Sequence, residues 1–299
     1  MVSTVGGKGA IRFDHPLSAA SWIEDRYTTE LLAGADVLLA VGTALGEVTS
    51  NYHTLEPAGT VIHIDAEARV LGANHPALSV HADAAQALSA LAQRVTRRDS
   101  GNGARIAADL RTAVEKRLAA QNLDIERTLM SDLRRAVPAA AQTFWDMTIA
   151  GYWAWSVWDP LDGEFHSAQG AGGLGFAFPA ALAAALGTGR RTLAVTGDGG
   201  AMYSIAELAT ARQHDADVTW LIVDDGGYGI LREYMTDAFG QATATELARP
   251  DFAALAESFD VPAHIASAAT VGAVVEETFD TRGPAVVVLP AHLTMFSAT

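Results

Sequence analysis

The sequence contains no cysteine among its 299 residues. A chain without cysteine forms no disulfides, and it has neither a thiolate nucleophile nor a cysteine-ligated metal site. Aromatic residues are scarce at 7%, and 20 lysine and arginine residues stand against 35 aspartate and glutamate residues. The resulting formal net charge of −15 excludes the class of proteins that bind a nucleic-acid backbone through a basic surface.

Long apolar runs and an N-terminal targeting signal are also missing. The first residues lack the apolar segment of a signal peptide. The Ala-rich run at residues 180–186 is too short to span a bilayer and is flanked by Pro179 and Gly187. These features predict a soluble cytoplasmic protein, and a hydrophobic content of 49% is enough for two medium-sized domains.

Two acidic, glycine-rich turns dominate the stretch from Gly197 to Gly229. Thr196-Gly-Asp-Gly-Gly200 follows an apolar run at 192–196, and Val223-Asp-Asp-Gly-Gly-Tyr-Gly229 follows a second run at 218–223. Residues 202–213 between them have a helical pattern, so the order predicts a βαβ unit. Because ligands of open α/β sheets bind beyond the carboxyl ends of the strands, we expect the acidic side chains of both turns to converge.

This arrangement favours a phosphate site with a bridging cation. Backbone N–H groups of Gly199 and Gly200, at the start of a helix, suit an anion such as phosphate. Carboxylates beside a phosphate favour Mg²⁺, which takes oxygen ligands. Either turn alone is equally well explained as an ordinary Asp- and Gly-containing turn, but the pair at two strand ends favours the site.

The pair of turns resembles the diphosphate-binding signature of thiamine diphosphate (ThDP) enzymes, in which Gly-Asp-Gly is followed after one βαβ unit by Asn-Asn. The segments Gly172-Gly-Leu-Gly-Phe-Ala-Phe-Pro-Ala-Ala-Leu182 and Tyr203-Ser-Ile-Ala-Glu-Leu-Ala-Thr210 are similar to the acetolactate synthase and benzoylformate decarboxylase branch. Asp224-Asp225 stands here in place of the Asn pair. The added negative charge predicts a stricter dependence of cofactor binding on the metal.

The resemblance implies a role for each site residue. Asp198 and Asp225 would ligate Mg²⁺ through their side chains and Gly227 through its carbonyl, while Gly199 and Gly200 would bind the diphosphate. The other implied positions are Thr148 at the distal phosphate, Gly172 at the aminopyrimidine, Leu174 as the apolar wedge that keeps the cofactor bent, Tyr228 beside the cofactor, and Ile230 and Leu231 in the substrate pocket.

Several of these positions have simpler alternatives. Thr148 would look the same in sequence as a helix N-cap. The loop around Gly172 could be a plain Gly-rich connection. His166 lies either near the reacting carbon or, more commonly for a loop histidine, serves only as a hydrogen-bonding residue. Arg232 and Glu233 are expected to be exposed.

The predicted fold class is α/β, in three parts. Residues 1–96 resemble the C-terminal half of a Rossmann-like middle domain, 97–123 form a linker and a surface helix, and 124–299 form the diphosphate-binding domain, a parallel sheet flanked by helices. In the first part we expect helices at 21–32 and 84–95, a buried strand at 37–41 and another strand at 60–64. The segment Gly42–Gly46 lacks a dinucleotide fingerprint and a basic residue, so no FAD is expected.

The resemblance also implies an activating glutamate on a pyrimidine-binding domain. We expect that domain, with the first half of the middle domain, on a second polypeptide that forms a heterodimer or a heterotetramer with this chain; a fragment of a longer protein would have the same sequence. The expected function is the cofactor-binding subunit of a ThDP- and Mg²⁺-dependent decarboxylase or carboligase that acts on a small 2-oxo acid. The alternative is a non-catalytic regulatory subunit that holds ThDP, or only Mg²⁺ and a phosphate ligand.

Overall fold

The computed structural model describes residues 1–96 and 101–297, in two compact units. Of the described residues, the first unit comprises 1–7, 13–96, 101–120 and 297, and the second comprises 8–12 and 121–296. The predicted linker begins at residue 97, and its residues 97–100 lie outside the described part of the chain, as do residues 298 and 299.

The first unit is a small parallel α/β layer. Its helices and strands are α1 (Arg26–Ala33), β1 (Val37–Val41), β2 (Thr60–Asp65), β3 (Leu78–His81), α2 (Ala84–Ala92) and α3 (Gly103–Ala119). The strands pair in parallel in the order β1-β2-β3. The predicted surface helix is confirmed as α3, which buries one side through Leu110, Val114 and Leu118.

Helix α1 begins at Arg26, so the predicted start at residue 21 was wrong. Asp25 ends the preceding segment in an extended conformation, and its carboxylate accepts a hydrogen bond from the Tyr27 N–H at 2.8 Å. This is the geometry of an N-cap, which fixes the first turn. Asp25 also forms an ion pair with Arg117 of α3, and both side chains are buried.

The apolar residues of β1 are less buried than predicted. Val37 is 55% exposed and Leu39 41% exposed, and only Ala40 in this strand is buried. The physical reason is that β1 is the edge strand of its sheet and pairs with β2 alone. Helix α2 likewise has an amphipathic pattern but buries none of its residues. The first unit therefore presents apolar side chains to solvent.

The second unit is a larger α/β layer built on one parallel sheet. Its elements are α4 (Asp124–Ala136), β4 (Gln142–Trp145), α5 (Ile149–Val157), β5 (Glu164–Ser167), α6 (Ala177–Thr188), β6 (Thr192–Gly197), α7 (Asp198–Ala201), α8 (Glu207–Gln213), β7 (Val218–Asp224), α9 (Gly229–Phe239), α10 (Phe252–Ser258), β8 (Ala263–Ile265), α11 (Val271–Phe279) and β9 (Ala285–Pro290). The strand order is β5-β4-β6-β7-β9-β8.

The central strands read as continuous apolar runs because helices cover both faces of the sheet. Every residue from Thr192 to Thr196 in β6 and from Val218 to Val223 in β7 is buried. Trp220 of β7 stacks on Phe178 of α6 with ring centroids 3.8 Å apart. The Trp-rich helix α5 buries Trp153 and Trp155 in the core of this unit.

The register of the sheet brings the carboxyl ends of β4, β6 and β7 together. Trp145 pairs with Val195, and Gly197 pairs with Val223, so the residues that follow these strands emerge at one edge. The predicted single helix over 202–213 is wrong. The chain forms the short helix α7 directly after β6, then a turn, and then α8.

A search of the described residues for membrane-crossing helices finds none of sufficient length and apolar character.

Candidate functional site

A cleft of about 260 Å³ opens at the carboxyl edge of the second unit's sheet. Its walls come from the ends of β4, β6 and β7 and from the start of α9. The predicted site residues that line it are Thr148, Gly172, Leu174, Gly199, Gly200, Asp225, Gly227, Tyr228, Ile230 and Leu231. Asp198 lines an adjoining cavity of about 340 Å³, which shares Gly199 and Tyr228 with the cleft.

Asp198 is a buried carboxylate without a hydrogen-bond donor. Its side chain is fully buried, and neither Oδ1 nor Oδ2 has a hydrogen-bond partner. Burial raises the pKa of Asp198 to about 6, and the negative charges of Asp225 and Asp224 add to the rise, while the nearby Gly199 N–H and the Arg249 guanidinium, 3.9 Å from Oδ2, oppose it. An ionised carboxylate in such surroundings is costly unless a cation meets it. This side chain therefore fits a metal ligand.

Asp225 is held in place at the end of β7. Its Oδ1 accepts a hydrogen bond from the Gly227 N–H at 3.2 Å. Its Oδ2 occupies the space that a side chain at Gly229 would need, since a Cβ there would lie 1.9 Å away. Burial raises the pKa of Asp225, while the positive charge of Arg232 opposes that rise. The neighbouring carboxylate of Asp224 is instead paired with Arg249.

The acidic groups are too few to enclose a metal by themselves. Within residues 1–96 and 101–297, no group of three or more His, Cys, Asp or Glu side chains is arranged to hold an ion. Two carboxylates and a backbone carbonyl leave about half of the positions of an octahedral ion to other oxygen donors. A diphosphate and water are the kind of donors that would complete such a set.

The glycines of the first turn allow a close approach of the backbone. A Cβ on Gly199 would lie 2.6 Å from the ring of Tyr228, and one on Gly200 would lie 2.6 Å from Oδ2 of Asp146. Both residues belong to the first turn of α7, where backbone N–H groups have no partner inside the helix. The hydroxyl of Tyr228 hydrogen-bonds to Tyr203, which raises the pKa of Tyr228.

Thr148 lies at the N-cap position of α5, as the simpler alternative proposed. Its side chain, however, makes no capping hydrogen bond. Its Oγ1 lies 3.3 Å from the position that a Cβ on Gly197 would take. The hydroxyl group therefore faces the glycine-rich turn rather than its own helix, and its role at a phosphate stays a prediction.

Asp146 holds the glycine-rich loop against the sheet, a role that the sequence reasoning missed. Its Oδ2 accepts the Gly175 N–H at 2.8 Å, and its Oδ1 accepts the Ala177 N–H at 2.9 Å. Burial raises the pKa of this carboxyl group, while the backbone N–H donors oppose the rise. Asp146 directly follows β4, so the rule that singled out Asp198 and Asp225 at strand ends would have found it.

Three further side chains are now placed. His166 lies on β5, where it stacks on Phe144 with ring centroids 4.6 Å apart and its Nε2 lies 2.9 Å from Oε2 of Glu164. His166 thus has the hydrogen-bonding partner expected of the simpler alternative, and its position relative to the reacting carbon stays a prediction. The prediction that Arg232 and Glu233 are exposed was wrong: both are half-buried, because Arg232 pairs with Glu246 at 2.8 Å and Glu233 accepts the Met295 N–H at 3.2 Å.

Comparison with known families matches both units. Residues 146–289 match the C-terminal TPP-binding domain of thiamine pyrophosphate enzymes, and residues 1–91 match the central domain of the same enzymes. Thiamine pyrophosphate is another name for thiamine diphosphate.

The similar proteins include a probable decarboxylase and acetolactate synthases. A probable 2-ketoarginine decarboxylase of Pseudomonas aeruginosa is 30% identical over 267 residues, which cover 87% of this chain and 47% of that protein. The acetolactate synthase isozyme 2 large subunit of Escherichia coli is 26% identical over 295 residues, which cover 94% of this chain and 53% of that protein. The chain therefore spans about half the length of these curated relatives. The two domain matches and these relatives show that the chain belongs to the thiamine diphosphate-dependent enzymes of the acetolactate synthase family.

Proposed function

We propose that this chain is the cofactor-binding part of a ThDP- and Mg²⁺-dependent decarboxylase or carboligase that acts on a small 2-oxo acid. The observation that carries the proposal is Asp198, whose two carboxylate oxygens are buried and lack a donor beside the carboxylate of Asp225. Membership of the family supports ThDP as the ligand. A divalent cation held by the carboxylates would add to the partial compensation that the Arg249 guanidinium, 3.9 Å away, gives Asp198.

The residues at the carboxyl edge of the sheet fit the two ends of the cofactor. Asp198, Asp225 and the carbonyl of Gly227 would hold the metal. Thr148, the N–H groups of Gly199 and Gly200, and Tyr228 would hold the diphosphate. Gly172 and Leu174, on the loop fixed by Asp146, would contact the pyrimidine and the bend of the cofactor.

The protein's contribution to the reaction is positioning and the exclusion of water. When bound, ThDP supplies the carbon nucleophile and the electron sink that the loss of CO₂ from a 2-oxo acid requires. Ile230 and Leu231 present apolar side chains at the mouth of the cleft, where they would shield the 2-oxo acid from solvent. The names of the relatives, a decarboxylase and acetolactate synthases, support both release of the product and its joining to a second carbonyl compound.

Completion of the site by a pyrimidine-binding domain on a second polypeptide is part of the proposal. Three exposed apolar side chains line the cleft or the adjoining cavity: Met202, Tyr203 and Leu231, which we call the apolar rim. Contiguous exposed apolar surface beside a site is typical of an interaction surface. In the first unit, Val37 and Leu39 on the edge strand β1 are exposed as well, and an apolar sheet edge favours cover by another chain.

Reconstitution tests this function. The chain would be purified with its co-purifying polypeptide, and carbon dioxide release from pyruvate and other small 2-oxo acids would be measured with Mg²⁺ and ThDP. We expect turnover by the complex and negligible turnover by the lone chain. Rapid turnover by the lone chain would contradict the need for a partner. A complex that binds ThDP in calorimetry yet never turns over would favour the non-catalytic regulatory subunit.

A further inference from the structure

Arg249 lies close to two carboxylates at the carboxyl edge of the second unit's sheet, those of Asp224 and Asp198. Its Nε donates to Oδ1 of Asp224 and lies 3.9 Å from Oδ2 of Asp198. The Asp224 side chain is 15% exposed and the Arg249 side chain 41% exposed. The guanidinium group thus pairs with the carboxylate that is not a proposed metal ligand, and it lies close to one that is.

The backbone fixes this arginine beside the motif. Leu247 donates its N–H to the Gly226 carbonyl at 3.1 Å, and Tyr228 donates its N–H to the Thr245 carbonyl at 2.8 Å. Gly226 has a positive φ of 87°, and a Cβ there would lie 3.7 Å from Nη1 of Arg249. The segment that carries Arg249 is therefore bound to the turn that carries Asp224 and Asp225, so the ion pair is more than a chance meeting of two surface side chains.

A second arginine, Arg232, provides a positive charge near Asp225. Arg232 Nε bonds to Glu246, and its buried Nη2 lies 3.1 Å from the position that a Cβ on Gly227 would take. The charge of Arg232 lowers the pKa of Asp225 against the effect of burial. Each carboxylate of the Asp224-Asp225 pair thus has its own guanidinium neighbour.

We propose that Arg249 is the charge-compensating residue of the metal–diphosphate site. It compensates the charge of Asp224 directly and that of Asp198 in part, and so limits the negative charge that a cation meets. This inference rests on the magnesium and diphosphate site proposed above. Removal of Arg249 would leave Asp224 uncompensated and make the site more negative. The direction of the change in cation affinity and in anion affinity can therefore be predicted. A cation must then bind more tightly and an anion more weakly.

Opposite changes in the affinities for cation and anion would distinguish this role from a structural one. If Arg249 only held the turn in place, its removal would loosen the site and weaken the binding of cation and anion together. Removal of Asp224 is the reciprocal test. Asp224→Asn should weaken cation binding and strengthen anion binding, and the double substitution should restore both.

The experiment uses two simple probes on the chain with any polypeptide that co-purifies with it. Mn²⁺ binding would be measured by electron paramagnetic resonance, and inorganic pyrophosphate binding at saturating Mg²⁺ by calorimetry. In Arg249→Met we expect Mn²⁺ affinity to rise and pyrophosphate affinity to fall, each by about three- to tenfold, since the pair is partly exposed. Asp224→Asn should shift both in the opposite sense, and the double variant should bind both probes within about twofold of the parent.

Arg212→Met is the matched control, because Arg212 pairs with Asp215 on an exposed turn outside the cleft. It should leave both affinities within about twofold of the parent. A fall of both affinities in Arg249→Met, or a double variant that fails to restore them, would contradict the proposed role of Arg249. Neither result would contradict the proposed metal–diphosphate site. If the parent binds neither probe, the proposed site is wrong and the inference with it. Should Arg249→Met not fold, the sign of the change in Asp224→Asn decides alone.

Discussion

Two acidic residues at the carboxyl ends of β6 and β7, Asp198 and Asp225, lie in surroundings that favour a bound cation. Asp198 is buried without a donor, and its pKa is raised to about 6. Proteins rarely bury an ionised carboxylate unless it is paired or bound to a metal. Asp225 has one hydrogen bond from Gly227 and a counter-charge from Arg232, whereas the nearest guanidinium to Asp198, that of Arg249, lies 3.9 Å away, so Asp225 needs a cation less than Asp198 does. This difference sets the expected effect of substituting each one.

Asp225→Asn should relax the metal dependence of cofactor binding. The substitution keeps an oxygen ligand but removes one negative charge beside a polyanion. We expect ThDP affinity in the presence of a chelator to rise by about three- to tenfold, with a smaller change at saturating Mg²⁺. Calorimetry under the two conditions measures the ratio. An unchanged ratio would show that Arg232 already neutralises Asp225 completely.

Glu24 in the first unit gives a test of pH dependence away from the site. Burial raises its pKa, although a hydrogen bond from the Tyr52 hydroxyl at 2.7 Å opposes the rise. The folded chain therefore binds the Glu24 proton more tightly than the unfolded chain does. This contribution to stability is complete below the unfolded pKa and is lost as the pH rises through the folded pKa.

Glu24→Gln should therefore raise the free energy of unfolding at pH 7, by on the order of 1 kcal/mol, since glutamine still accepts the Tyr52 hydrogen bond without a buried charge. Urea denaturation at a series of pH values measures the difference, which should shrink toward zero in acid, where Glu24 is protonated in both states. A difference that grows as the pH falls would contradict the assignment.

At the scale of elements, the loop between β5 and α6 depends on particular glycines. Gly175 has a φ of +79°, and a Cβ there would lie 2.6 Å from Cβ of Tyr203. Gly173 in the same loop has open space around it. Asp146 accepts the Gly175 N–H, so the backbone has no room to adjust at that point.

Gly175→Ala should lower the free energy of unfolding by about 2 kcal/mol, because the substitution adds a left-handed strain and a steric clash. Gly173→Ala is the matched control and should stay within about 0.5 kcal/mol of the parent. Denaturant unfolding measures both. Equal stability of the two variants would mean that the loop is free to move away from Tyr203.

Elements with strong patterns were predictable, and those fixed by distant contacts were not. β6 and β7 are continuous apolar runs ending at acidic turns, and such runs indicate buried parallel strands directly. β3, β5 and β8 are edge strands of three or four residues, and such short segments carry too little pattern to be distinguished from loops. The helix predicted over 202–213 failed because α7 starts at the aspartate itself and the chain turns before α8.

The same distinction holds for the candidate site. The motifs after β6 and β7 predicted Asp198, Asp225 and the glycines as site residues, because the strand ends of a parallel sheet meet at one edge. Arg249 was missed because it is 25 residues from its partner Asp224 in sequence and reaches it only through the backbone pairing of its segment. The carboxylate partner of a distant arginine leaves no local signal.

At the scale of the whole molecule, we expect the proposed partner to cover the apolar rim and Phe239, which lies on the helix α9 that begins at the cleft. Phe239, at the end of α9, is 76% exposed, the largest fraction among the large apolar side chains of the described residues. Phe239→Ser should weaken the complex with the proposed partner by about tenfold without lowering the stability of the chain. Leu186→Ser is the control, since Leu186 is also exposed but lies near the C-terminal end of α6, outside the rim and away from any sheet edge strand. Sedimentation or calorimetry measures the affinity, and equal losses in both variants would refute a specific surface.

The most direct test is the position of a metal ion in crystals of the protein grown with Mn²⁺ and ThDP, together with any polypeptide that co-purifies. An anomalous difference map locates Mn²⁺ without ambiguity. We predict one peak at bonding distance from the carboxylates of Asp198 and Asp225 and from the carbonyl of Gly227, with the diphosphate on its other side. Bound ThDP with Asp198 still uncoordinated, or a metal peak elsewhere, would contradict the central claim.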